Sequence, residues 1–286
     1  MRIAAWFIVI FLFLNLNPPV FSETSSFTSA TAEDSSALLS KESIENGWYF
    51  KTGEIQVKVT AVTDRIFRIT AVSRLADWPA GKGTFIAPRS RVSPLLKRFD
   101  TLEEFGIATD KGTIGILKAP LEIYLTGSDG VVKLEKGRLG LRPELQSYWE
   151  VTFLSPSVER NYGVGNTEMN QSGGLMKTFA QTTVGNGVTQ APFVWSTAGY
   201  GILIDFEEKG AEWKKVYGTS RWRVPGEVLD LYFLLGDTPY QILDAYTDLT
   251  GRPPIPPIWT FGFMMSRWGY GGWEDIRQKW YTFRQK

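Results

Sequence analysis

The sequence predicts a mainly β protein, an antiparallel β-sandwich followed by the first βα unit of an incomplete (β/α)8 barrel. Three observations predict it. Between about Gly47 and Leu235, short runs alternate apolar and polar residues and are broken by Gly, Pro, Asp and Asn, as half-buried strands joined by turns require. A dense proline stretch, Pro253-Pro254-Ile255-Pro256-Pro257, can join neither a helix nor a central strand and reads as a stiff connector. Beyond it, Trp259–Met265 is a nearly continuous apolar run, which suits a strand buried on both faces.

Composition narrows the chemistry. The 286 residues carry 31 basic and 30 acidic side chains, a net charge of +1. Without a basic excess to neutralise phosphates, no nucleic-acid partner is expected. There is no Cys and no His, which removes disulfides, thiolate or His metal sites, Cys nucleophiles and His general bases. Carboxylate, Tyr, Lys, Arg and hydroxyl chemistry is left. No cluster of acids has metal-ligand spacing, and no cofactor is expected. The 11 Trp suit both cores and stacking on sugar rings.

Taken in order, residues 1–22 read as a signal peptide. Arg2 precedes the apolar run Ile3–Leu14, and Asn15, Asn17, Pro18 and Pro19 end it. That run is short of the roughly 20 residues a stable membrane anchor needs. The expectation is a secreted or periplasmic chain with no membrane contact after signal removal. Residues 23–46 are Ser/Thr/Ala-rich and read as a flexible lead-in. The sandwich is expected over 47–237. Its strand candidates are Ile55–Val62, Ile66–Ile69, Thr113–Leu117, Leu121–Leu125, Val131–Leu134, Tyr148–Leu154, Phe193–Trp195, Ile202–Phe206 and Val228–Leu234, with Ser128-Asp129-Gly130 as a hairpin-type turn.

A helix and connector are expected over 238–257. Asp237 or Thr238 can cap a helix over Tyr240–Leu249, Pro239 sits in its first turn, and Ile242, Leu243, Tyr246 and Leu249 share a face. Residues 258–286 then read as strand, Gly-rich loop and helix (Trp273–Phe283), the start of a catalytic barrel. About 30 residues follow the connector, where such a barrel takes roughly 250, so the barrel is expected to be begun and not finished. Trp259–Lys286 holds nine aromatics, and without partners it would expose an apolar patch. The alternative is a small lid packed on the sandwich.

Five blocks in order carry a resemblance. They are Tyr162-Gly163-Val164-Gly165; Pro192-Phe193 with Ser196 and Gly199–Leu203; Leu231–Pro239; Tyr246–Pro253 with Pro256-Pro257; and Trp259–Phe263 with Ser266–Tyr270. Together they resemble the N-terminal part of glycoside hydrolase family 31, the α-glucosidase and α-xylosidase family, over about residues 47–286. The resemblance implies a galactose-mutarotase-like sandwich, then a (β/α)8 barrel using a retaining mechanism with two carboxylates on later barrel strands. Neither carboxylate is matched here, so no catalytic residue is assigned and the chain alone is expected to be inactive. The implied partner is an α-linked glucosyl or xylosyl oligosaccharide. Asn166 stands where the family commonly has Glu, and the loop Phe179–Gly187 lacks the acid often found there. Both departures leave the sub-family open.

Three residues are candidates for substrate contact. Trp268 follows Arg267 at the expected C-terminal end of the first barrel strand, where barrel residues face the active site; it lines a sugar pocket or forms a wall between domains. Tyr270 can hydrogen-bond sugar hydroxyls or serve structure. Asn186, between two glycines on a polar loop, is a binding group or a turn residue. Glu103-Glu104 and Glu207-Glu208 are sequence neighbours, which point to opposite faces in a strand, and read as solvated surface. The Gly-rich stretches complete no phosphate-binding pattern. A free-standing carbohydrate-binding sandwich is the competing reading. An aldose epimerase shares the sandwich but by analogy needs histidine, which is missing.

Overall fold

A computed structural model describes residues 37–78, 85–87, 94–142, 147–155, 158–163, 192–205, 211–216, 218–262 and 269–285. Two eight-stranded sheets face each other, and every pairing in them is antiparallel. In chain order the strands are β1 Leu38–Ile44, β2 Gly47–Thr52, β3 Ile55–Ala61, β4 Ile66–Ser73, β5 Lys97–Asp100, β6 Glu104–Thr109, β7 Gly112–Lys118 and β8 Leu121–Gly127. Then come β9 Val132–Arg142, β10 Tyr148–Leu154, β11 Asn161–Gly163, β12 Phe193–Ser196, β13 Tyr200–Asp205, β14 Glu212–Val216, β15 Thr219–Pro225 and β16 Val228–Leu235. The first sheet runs β1-β2-β3-β4-β16-β13-β12-β11 and the second β14-β15-β10-β9-β8-β7-β6-β5.

Alternation builds the core. On β4, Phe67, Ile69 and Ala71 point between the sheets, as do Leu229, Leu231, Phe233 and Leu235 on β16. The second sheet answers with Ile114, Ile116, Leu134, Val151 and Phe153. Phe153 meets Phe233 edge-on across the gap at 5.2 Å, a geometry the ring quadrupole favours. Trp48, Trp149, Trp213 and Trp222 are also buried here. Much of the tryptophan richness therefore serves packing.

The sheet edges are fastened at both sides. On one side, Lys41 and Lys118 both hydrogen-bond Asp100. These bonds, Lys118's first, hold the Asp100 carboxyl below its ordinary range. Trp48 Nε1 donates to Gly106 O at 2.8 Å. On the other side, Lys215 on β14 reaches Glu159 and Asn161 beside β11.

The first sheet is covered on its outer face as well, so β16 is apolar on both faces apart from Asp230, although its neighbours are antiparallel. Helix α1, Pro239–Thr250, lies there. Ile66, Phe193, Leu203, Tyr232 and Leu234 from the sheet meet Ile242, Ala245 and Leu249 from α1. Thr238 is the cap, its hydroxyl accepting from Gln241 N, and Pro239 opens the helix. A Cβ on Gly201 would stand 2.9 Å from the Phe193 ring and 3.0 Å from Ile242, so glycine lets the helix settle onto β13.

Three expectations need correction. The lead-in is not flexible through residue 46, because Leu38–Ile44 forms edge strand β1. Its register shifts between Leu38 and Ser40, and most of its residues are exposed, so it shows no two-residue alternation. On α1, Ala245 replaces Leu243 in the buried face, since 242, 245, 246 and 249 form one stripe at helical spacing. The strand expected at Trp259–Met265 begins instead as a 3-10 turn, Ile258–Phe261. No strand pairs with it among the described residues, and its backbone turns on itself through local bonds from Thr260 N to Pro257 O and Gly262 N to Trp259 O. Residues 263–268 lie outside the described residues. The expected last helix is present as α2, Trp273–Gln285.

Candidate functional site

The outer face of the first sheet carries a strip of aromatic rings towards its β11 edge. β11 and β12 pair as Tyr162↔Trp195, and directly opposed residues in a sheet share a face. Their rings stack at 4.8 Å between centroids and 23° between planes. Two residues along β12 from Trp195, and so on the same face, Phe193 stacks on Tyr246 of α1 at 4.3 Å and 28°. Tyr162 is 39% exposed and Trp195 is half-buried. The strip thus runs from a buried helix contact to a ring open to solvent, and a flat, partly dry aromatic surface can take the apolar face of a sugar.

Behind the strip, between the sheets, the same strands hold a polar cluster. Glu159 accepts from Ser196 Oγ and Lys215 Nζ, and from Tyr200 OH at 2.7 Å. Lys215 Nζ also donates to Asn161 Oδ1 at 3.0 Å. The Glu159 and Lys215 side chains are only 1% and 10% exposed. Burial, then the Glu159 charge, pushes the Tyr200 hydroxyl well above its ordinary value, so it stays protonated and donates. The cluster pins β11, β12 and β14 to one another and so fixes the base on which Tyr162 and Trp195 stand.

A second polar group lies further along the outer face. Arg68 grips Asp230 with two hydrogen bonds, Nε to Oδ1 at 2.7 Å and Nη2 to Oδ2 at 2.6 Å. Thr70 Oγ1 and Tyr232 OH also donate to Asp230. Burial followed by the Asp230 charge raises the Tyr232 pKa. Asp205 stands opposite Asp230 in register and accepts from Phe85 N at 3.0 Å. Both carboxylates are buried and engaged. Their arrangement is that of a structural ion-pair network and not of two acids flanking an open cleft.

The three residues singled out in the sequence are not brought together here. Trp268 and Asn186 lie outside the described residues, as do Arg267 and Glu207-Glu208. Tyr270 is half-buried in the stretch between the 3-10 turn and α2. Glu104 is not plain solvated surface, because Tyr124 OH donates to its Oε2 at 2.8 Å. Sequence reasoning missed Glu159, Lys215, Arg68 and Asp230. Asp230 had a readable signal, a lone acid inside an apolar run, which must find a partner if buried. Lys215 had none, since its partner lies 56 residues away.

Fold and site together define a two-sheet antiparallel sandwich with one helix docked on its outer face and an aromatic edge. No family model matches the chain. It is 26% identical over 259 residues to an α-xylosidase of Saccharolobus solfataricus, covering 82% of this chain and 34% of that protein. It is 26% identical over 204 residues to α-glucosidase 2 of Bacillus thermoamyloliquefaciens, covering 65% and 25%. A crystal structure of a GH31 α-xylosidase from a soil metagenome, complexed with xylose, superimposes with a TM-score of 0.74 at 19% identity, covering 86% of this chain and 40% of that one. The chain is thus similar in sequence to part of an α-xylosidase and of an α-glucosidase, and its fold is that of a solved GH31 α-xylosidase over 86% of its length. The chain spans about a quarter to a third of the length of these curated relatives.

Proposed function

We propose that this chain supplies the N-terminal sandwich of a secreted retaining α-glycosidase acting on α-linked glucosyl or xylosyl oligosaccharides. The observation that carries the reading is the extent of the shared architecture, 86% of this chain on a GH31 α-xylosidase. The names of the sequence relatives support the same substrate class. In this reading the sandwich shapes the substrate mouth, and Trp268, Tyr270 and Asn186 contribute to it. The reactive carboxylates come from barrel strands that the resemblance does not match to any residue of this chain. In this reading the chain by itself does not turn over substrate. The apolar leader at residues 1–22 supports secretion or a periplasmic destination.

A second reading, a free-standing carbohydrate-binding sandwich, is favoured by the open Tyr162–Trp195 stack. Residues 23–286 are assayed on an aryl α-glucoside and an aryl α-xyloside, and titrated calorimetrically with malto- and xylogluco-oligosaccharides. Turnover above host-enzyme controls overturns the proposal of inactivity. Saturable binding by a monomeric chain, lost in Tyr162→Ala, favours the binding module.

A further inference from the structure

A small open pocket lies at one end of the sandwich, where turns of both sheets meet. Arg65 comes from the β3–β4 turn, Lys111 from the β6–β7 turn, and Gly127 and Lys133 flank the β8–β9 turn. Gly199, on the β12–β13 turn, and Asp237, just after β16, complete the wall. Hydrogen bonds between the turns make this end a built surface. Thr109 Oγ1 donates to Asp64 O at 2.6 Å, tying the β6–β7 turn to the β3–β4 turn. Leu235 N donates to Arg65 O at 2.9 Å and Gly236 N to Gly199 O at 3.2 Å.

The wall carries three cations and one acid. The Lys133 side chain is only 12% exposed. Its stem fits because a neighbour lacks a side chain: a Cβ on Gly127 would stand 2.7 Å from Lys133 Cε. An ammonium has three donors. One bond from Lys133 is made, to Asp129 at 3.2 Å, and Asp129 is itself half exposed. Arg65 and Lys111 have no ion-pair partner among the described residues. Of the acids on these turns, Asp64, Asp110 and Asp129 stand outside the lining, and only Asp237, which is exposed, belongs to it.

Like charges gathered at one concave, partly dry mouth repel one another, and an anion there turns that cost into attraction. The pocket holds about 10 Å³, room for one oxygen-sized atom. A tetrahedral oxyanion can place one oxygen there, with Lys133, Arg65 and Lys111 in the surrounding wall to meet its charge. We propose that this pocket is an oxyanion site for phosphate or sulfate, free or as the terminal group of a phosphorylated sugar. The site is separate from the aromatic strip and does not depend on the glycosidase reading.

Isothermal titration calorimetry of the full chain, at constant ionic strength in chloride, tests it with inorganic phosphate, sulfate and a sugar phosphate in separate arms. Saturable phosphate binding in the millimolar range is expected, on the order of −4 kcal/mol, and weakened about tenfold or more in Arg65→Met/Lys111→Met. Tighter retention of the sugar phosphate than of the free ion identifies the monoester as the ligand, and the reverse identifies the free ion. Circular dichroism of the double variant separates lost binding from lost fold, and a single Lys111→Met variant stands in if the double does not fold. No saturable heat up to about 50 mM, or equal binding by wild type and variant (an adventitious ion only), overturns the proposal.

Discussion

A carboxylate removed from water needs compensating donors, and Glu159 has three of them in Ser196, Tyr200 and Lys215. The cost of removing one member depends on what the others are left facing. Lys215→Met leaves a buried anion without its cation, and Glu159→Gln leaves a buried ammonium facing a neutral amide. Each single change is expected to cost about 3–5 kcal/mol of stability. The double variant removes both charges, so its cost falls short of the sum by about 1–3 kcal/mol. Urea unfolding of the four proteins completes the cycle. Strict additivity would mean that Glu159 and Lys215 do not act as a pair. The Arg68–Asp230 fork follows the same logic on the opposite face of the sheet, where a lone acid in an apolar strand is tolerated because a planar guanidinium meets it in two places.

Helix α1 depends on one narrow stripe against the first sheet. Ile242→Ala deletes the side chain that lies against Gly201 and is expected to cost about 2–5 kcal/mol. Leu243→Ala, one residue along and exposed, is expected to stay within about 0.5 kcal/mol. Comparable losses from both in thermal unfolding would place the docking face wrongly. This element also shows what the sequence could reveal. Its cap, its proline and its length were legible because they are local, whereas the choice of Ala245 over Leu243 depends on where the sheet lies. Strands with a dry and a wet face, such as β3 and β10, were legible from alternation. β1, β5 and β11 were not: they are short or exposed edge strands whose order comes from a neighbour's backbone and from long-range ion pairs. The 3-10 turn at Ile258–Phe261 misled in the other direction, since an apolar run specifies a buried strand only when neighbouring strands accept its hydrogen bonds. The aromatic strip was half-visible. Tyr162, Phe193 and Tyr246 stood in the resembling blocks, but which rings stack, Tyr162 on Trp195 and Phe193 on Tyr246, is set by register and helix placement.

Taken as a whole, the molecule has a closed part and an open part. The sandwich buries its large side chains between the sheets and under α1. The stretch after α1 does the opposite: Ile255, Ile258, Trp259, Phe261, Trp273, Trp280, Tyr281 and Phe283 are exposed, and neither the 3-10 turn nor α2 contains a buried residue. The lid alternative required these side chains to pack on the sandwich. A run of exposed rings on one short segment carries a cost of roughly 25 cal/mol per Å² of apolar surface left in water, and contiguous patches of this kind mark contact surfaces. In the proposed whole enzyme that surface meets the rest of the barrel. In the isolated chain the same surface is expected to find other copies. Sedimentation velocity should show association that grows with protein concentration, and a hydrophobic dye should bind. Trp273→Ser/Trp280→Ser/Phe283→Ser should shift the chain towards monomer and cut dye binding severalfold, while the unfolding midpoint of the sandwich stays unchanged. A triple variant that associates as before would locate the sticky surface elsewhere. One that also unfolds the sandwich would mean that α2 packs on it, and the division between a closed and an open part would fall.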